Sequence, residues 1–243
     1  MKRFLLVGTA LLLSLQSLPA AAEEYTKEQI QEIVRDYLVS NPEVLMEAMV
    51  SLQNYRTQQA ELENQRLIEA NKDALFHNPD AASIGPKDAK VTLVEFYDYN
   101  CGACKIMYNS LLEYLKENKD LRVVFKEYPI FGESSEYPAR IAIAVHRLKP
   151  EKYFEFHKEL MGYQGRVNAE VTDKALEKVG LDKDKIKKEA ESEKVADILS
   201  HTRDLAQTLG ATGTPLLVLN SEIIPHALDI DTLRDKVTAI EKQ

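Results

Sequence analysis

The 243-residue sequence predicts an α/β fold with a large helical insertion, preceded by a helical arm. Three observations carry the prediction. Apolar, β-branched runs stand at 91–99, 121–130 and 214–220, and the first two flank a helical pattern. Between the second and third runs, from 134 to 210, every pattern is helical. Ahead of all of them, residues 23–76 form an amphipathic region of different character.

At the start of the chain, Lys2 and Arg3 precede the apolar stretch "FLLVGTALLLSL", and "LPAAA" offers small residues at Ala20 and Ala22. Residues 1–22 therefore read as a secretory signal peptide cleaved after about Ala22. The apolar stretch is shorter than the roughly 20 residues a membrane span needs. Losing Lys2 and Arg3 takes the formal charge from −8 to −10. So acidic a chain lacks the basic footprint of nucleic-acid binding, and no nucleic-acid partner is expected. With 44% hydrophobic and 29% charged residues, the rest suits a globular protein with its own core.

The arm opens on "TKEQ", a capping box in which Thr26 and Gln29 satisfy each other's free backbone donors. Ile30, Ile33, Val34, Tyr37 and Leu38 then form one apolar stripe at helical spacing. Pro42 starts a second helix that meets no breaker before about Phe76, although its apolar residues thin out towards the end. Such a stripe needs a partner, and self-association into a dimer or trimer accounts for it better than packing on the chain's own body. A polar stalk is the alternative. "HNPDAASIGPKDAK", 77–90, reads as linker.

The body, 91–243, begins β–α–β: a buried strand 91–99, a helix with Ile106, Met107, Leu111, Leu112 and Leu115 on one face, and a strand 121–130. A parallel pair with a right-handed crossover is the expected arrangement. The helical insertion spans about 134–210, with breaks at Pro150, Gly162–Gly165 and Gly180. A third strand at 214–220, a short fourth at 222–225 and a closing helix capped by Asp229 or Asp231 complete the order.

Cys101 and Cys104 are the only cysteines, and they sit where the first strand meets the first helix of the body. A structural zinc site needs four ligands, and neither a second cysteine pair nor suitably spaced histidines exist among His77, His146, His157, His201 and His226. A stabilising bridge closing so short a loop is worth roughly 2 kcal/mol, against about 4.7 for a 100-residue loop. A redox pair explains the placement. A sulfur opening a helix lies near unpaired N–H groups and the positive end of the helix dipole, and both favour the thiolate. Cys101 is then the attacking sulfur, and Cys104, nearly one turn on, resolves or re-forms the bond.

"LVEFYDYNCGAC", "VVFKEYPI" and "GTP" before the late strand resemble the thioredoxin-like fold of the DsbA-like periplasmic thiol–disulfide oxidoreductases. "YLVSNPEVLMEAM" is similar to the branch, ScsC- and Com-type proteins among it, that carries an N-terminal helical oligomerisation segment. The resemblance implies a protein disulfide isomerase or oxidase of the periplasm. Its partners would be protein thiols and disulfides and a membrane redox protein, with no metal or organic cofactor. It implies that Pro215 is a cis-proline beside the motif and that Thr214 offers backbone bonds to an extended substrate. It makes Glu95 a buried acid that accepts a proton from the resolving cysteine, with Lys126 and Glu127 as tuning partners or as solvent-facing residues. His157 reads as a packed or surface histidine. Many relatives have a polar or cationic residue between the cysteines. The Gly-Ala here implies a milder oxidant, and with the arm it leans towards isomerase. Rival readings are a surface-associated scaffold on a thioredoxin-like body, loosely attached to the outer membrane, and Cu(I) handling by the thiol pair.

Overall fold

The structure is a computed structural model that describes residues 25–242. The stretch read as a signal peptide, residues 1–22, lies outside the described residues. The chain divides into two compact units, Met1–Tyr55 and Arg56–Gln243.

In the first unit, helix α1 (Lys27–Ser40) begins on the expected capping box: Thr26 N–H donates to Gln29 Oε1 at 2.9 Å, and Gln29 N–H to Thr26 Oγ1 at 3.2 Å. No residue of α1 is buried. Ile30, Ile33, Val34 and Tyr37 are each half exposed, and Leu45, Met49 and Leu52 of helix α2 (Pro42–Ala70) are in the same condition.

The boundary between the units falls within α2, after Tyr55, and the body begins well before residue 77. Ile68, at the end of α2, and Leu75, in a π-helical turn (Asp73–His77), are buried among strand residues of the second unit. The stretch read as a linker also holds a strand, β1 (Ala82–Ile84), antiparallel to β3 (Leu121–Glu127). Gly85 follows it at φ 84°, where an added Cβ would lie 2.2 Å from the Leu121 carbonyl oxygen. Only glycine makes that turn against β3.

Strand β2 (Val91–Tyr97) pairs in parallel with β3 and antiparallel with β4 (Leu216–Leu219), and β5 (Glu222–Ile224) closes the sheet in the order β1-β3-β2-β4-β5. The β4–β5 hairpin turns through Asn220 and Ser221, with Asn220 in the left-handed region at φ 47°. Each strand ends earlier than the apolar run that predicted it. Tyr97 is the last ladder residue of β2, and the chain then turns through Asp98–Asn100 into helix α3 (Gly102–Glu117).

Both faces of β2 are covered, so its residues are nearly all buried. Val94 and Phe96 share one face with Val124, Leu216 and Val218, under Ile68, Leu75 and the end of helix α8 (Glu193–Thr208). Leu93 and Tyr97 share the other with Met107 and Leu111 of α3 and Leu233 and Val237 of helix α9 (Ile230–Glu241). The insertion comprises α4 (Glu133–Leu148), α5 (Pro150–Met161), α6 (Ala169–Lys178), α7 (Lys183–Ala190) and α8. It packs mainly on this second face, joining the same core through Ile141, Phe156 and Leu176.

Candidate active site

Cys101 is the residue before the first turn of α3, with extended backbone (φ −82°, ψ 120°), and both cysteines are buried free thiols. A side chain at this cap position reaches the N–H groups of the next turn. Those of Ala103 and Cys104 support the Cys101 sulfur. The Cys104 thiol is its strongest support, opposed by partial burial and joined by the Thr214 side chain, and together they hold Cys101 at about 5. Neither Gly102 nor Ala103 contributes through a side chain. As a thiol, Cys101 donates to the Thr214 carbonyl at 3.2 Å. The Thr214 hydroxyl is buried without a hydrogen-bond partner, and a thiolate at Cys101 offers it one. The Thr214–Pro215 peptide bond is cis.

Cys104 is in the opposite condition. Its sulfur is fully buried, and burial, the Cys101 sulfur and the charge of Glu95 push its thiol far above the ordinary range. Glu95, in the middle of β2, is 1% exposed. Burial, and then the charge of Cys101, push its carboxyl up to about 8, and its Oε1 has no hydrogen-bond partner.

The structure brings Cys101, Cys104, Glu95 and Thr214 together, and it does not bring Lys126 and Glu127 to them. Alternation along β3 puts Lys126 on the sheet face of Val124, away from Glu95, and burial lowers its ammonium to about 8. Glu127 faces the Glu95 side but accepts from Tyr97 Oη at 3.1 Å and Tyr153 Oη at 2.8 Å, and burial raises its carboxyl. Neither residue faces solvent, and neither hydrogen-bonds to Glu95. His157 is packed, as read. It stacks on Tyr153 and Phe154 with its Nδ1 3.2 Å from Tyr99 Oη, and burial lowers it to about 3, so it is neutral at pH 7.

Two residues that the sequence reading passed over position the motif. Asp98 accepts from Asn100 N–H, Ser135 Oγ and Ile130 N–H, each at 2.7 Å, which ties the turn before Cys101 to the end of β3 and the start of α4. Asn100 donates through Nδ2 to Ser134 O at 3.1 Å and Val167 O at 3.0 Å and accepts from Val167 N–H at 2.7 Å, so the insertion is clamped onto the motif loop. Asn100→Ala strands the Val167 amide. It is expected to destabilise the fold by about 1–3 kcal/mol, read as a lower urea midpoint at unchanged m-value. Beside Asn100, with Phe131, Gly165 and Arg166, lies a recess of ≈ 350 Å³.

Two neighbouring thiols whose proton affinities are driven in opposite directions suit exchange with another disulfide, one sulfur entering and the other held in reserve. The chain is a thiol–disulfide oxidoreductase on a thioredoxin-like α/β body. Residues 92–238 match the DSBA-like thioredoxin domain, and residues 27–61 match the family described as copper resistance protein ScsC N-terminal domain. A thioredoxin-like oxidoreductase from Silicibacter pomeroyi is 34% identical, covering 71% of this chain and 99% of that one, with a TM-score of 0.67. The catalytic domain of Proteus mirabilis ScsC is 27% identical over 74% of this chain and 99% of its own, TM-score 0.68. Disulfide bond formation protein D of Bacillus subtilis is 26% identical, spanning 70% of this chain and 82% of that protein. The chain belongs to the DSBA-like thioredoxin domain family, in its ScsC-type branch.

Proposed function

We propose that the protein is an exported disulfide isomerase with oxidase capacity, acting on protein substrates through Cys101 and Cys104. The observation that carries this reading is the opposed tuning of the two sulfurs, Cys101 at about 5 and Cys104 far above the ordinary range. The Cys101 thiolate attacks a substrate disulfide, forming a mixed disulfide and releasing the other substrate sulfur as a thiolate. Forming the mixed disulfide removes the Cys101 charge that helps keep Glu95 protonated. The Glu95 carboxylate then takes the proton of Cys104 as Cys104 attacks Cys101, which frees the reduced substrate and leaves the Cys101–Cys104 bond. Oxidation of a substrate dithiol runs the same steps in reverse. Thr214 and Pro215, beside the Cys101 sulfur, are the substrate-binding pair.

The direction of flow follows from the arm. The exposed stripe of α1 and α2 supports a homodimer or homotrimer that presents several motifs to one substrate, and this favours reshuffling over simple oxidation. Export rests on the N-terminal sequence pattern, and a similar Salmonella enterica chain is described as periplasmic. A membrane redox protein would reset the pair. A second reading, Cu(I) capture by the two thiolates, draws on the copper-resistance name of the family matching the arm.

The test is refolding of a scrambled-disulfide substrate by the mature chain and by a form starting at Arg56, which retains Ile68 and Leu75 in the body. The mature chain is expected to reshuffle and the shortened form only to oxidise dithiols. Equal oxidation by both with no reshuffling rejects the isomerase reading. Loss of reshuffling only when Cu(I) is added favours the second.

A further inference from the structure

At the far end of β2 from the cysteines lies a cavity of ≈ 610 Å³, which redox chemistry leaves unused. Thr92 lines it, whereas Tyr97 leads into the motif, so about 17 Å of strand separates the two sites. One wall is the end of α2 and the π-helical turn (Gln65, Ile68, Lys72, Phe76), and the other is the base of the sheet, with Arg122, Lys87 and Ser221.

Its chemistry contrasts with the acidic chain around it. Lys72, Lys87 and Arg122 line the cavity with a single carboxylate, Glu69, and that carboxylate is paired with Lys72 at 3.3 Å. Lys87 and Arg122 have no ion pair among the described residues. Arg122 Nε is buried and without a hydrogen-bond partner, an arrangement that leaves a charged donor desolvated and unrewarded. A carboxylate meeting the Arg122 guanidinium through its two Nη groups engages it in the bidentate geometry arginine favours. Ile68 and Phe76 add an apolar wall beside these cations. A volume in this range suits a small organic ligand rather than a bare ion.

We infer that this cavity is a binding site for a small organic carboxylate with an apolar body, its carboxylate on Arg122 and Lys87 and its apolar part against Ile68 and Phe76. The ligand bridges the end of α2 to the sheet and stands apart from the cysteines. Occupancy therefore stiffens the 65–77 segment without altering exchange at Cys101.

Titration calorimetry of the full mature chain at low salt, with 4-phenylbutyrate, its neutral alcohol and inorganic phosphate, tests the site. The carboxylate is expected to bind saturably, at least tenfold tighter than either control. Arg122→Met should weaken it at least tenfold, and Lys87→Ala, on an exposed residue, about three- to tenfold, with thiol exchange unchanged in both. Hydrogen exchange on the unaltered chain locates the site without any variant, and protection at 65–77 and 220–222 is expected. Failure to saturate, equal binding of the alcohol or of phosphate, or protection confined to other segments overturns the inference.

Discussion

Cys101→Ser is expected to abolish thiol–disulfide exchange, by roughly 10³-fold or more, because a serine hydroxyl supplies no anion at neutral pH. With Cys101 held at about 5, almost all of it is thiolate at pH 7, and that population is what attacks. Cys104→Ser is expected to behave differently. Attack by Cys101 survives, slowed because its strongest support is altered, but resolution does not, and mixed disulfides with substrate accumulate. Non-reducing electrophoresis and mass spectrometry of the trapped adducts check both variants. Adducts formed by Cys101→Ser through Cys104 would reverse the assigned roles. Such a reversal would have to overcome the burial of Cys104, which is 0% exposed.

The second large effect belongs to Glu95. Burial and the Cys101 charge raise its carboxyl from 4.5 to about 8, so between these limits the folded chain holds a proton that the unfolded chain has released. The stabilisation tied to that proton is full below pH 4.5 and is lost as pH rises through 8. Glu95→Gln cannot ionise. It is expected to flatten the stability profile and to leave the variant more stable than the parent above pH 8, by on the order of 4 kcal/mol. Urea unfolding at pH 5 and pH 9 measures this directly. The difference should shrink in the oxidised chain, where the Cys101 charge is gone. Stability gained is function lost: without its proton acceptor Cys104 should resolve a mixed disulfide about 10²-fold more slowly, while Cys101 attacks at its former rate. Equal resolution by parent and variant would remove Glu95 from the mechanism and leave it a buried acid with no catalytic part.

These effects trace back to how the sequence encodes the site. Cys101 and Cys104 were legible because their placement is local. A β-branched run gives way to a helical stripe within a few residues, and the cap position follows from that junction. Glu95 stood out as the one charge between Val91 and Tyr97. The pairing of Lys126 and Glu127 was not legible, because two adjacent strand residues face opposite sides of the sheet and only the tertiary fold decides which side holds Glu95 and which the tyrosines. Asp98 and Asn100 were hidden in "YDYN", which reads as more strand. Their partners, Ile130, Ser135 and Val167, lie far along the chain, and no periodicity announces a clamp of that kind. Strand β1 went unread because three residues bounded by turn-formers carry no alternation to detect, and it owes its existence to the free edge of β3. The arm was overextended for a related reason. Helical spacing continues to Phe76, but the spacing does not reveal that Ile68 and Leu75 pack on the sheet.

The most direct measurement is the thiolate absorbance near 240 nm of the reduced chain, titrated from pH 3 to pH 8.5, below the range in which tyrosinate absorbs at the same wavelength. One sulfur is expected to ionise with a midpoint at about 5, and the absorbance should then stay flat to pH 8.5 because Cys104 keeps its proton. A first midpoint above 8, or two thiolates appearing together, would contradict the opposed tuning on which the proposed chemistry depends.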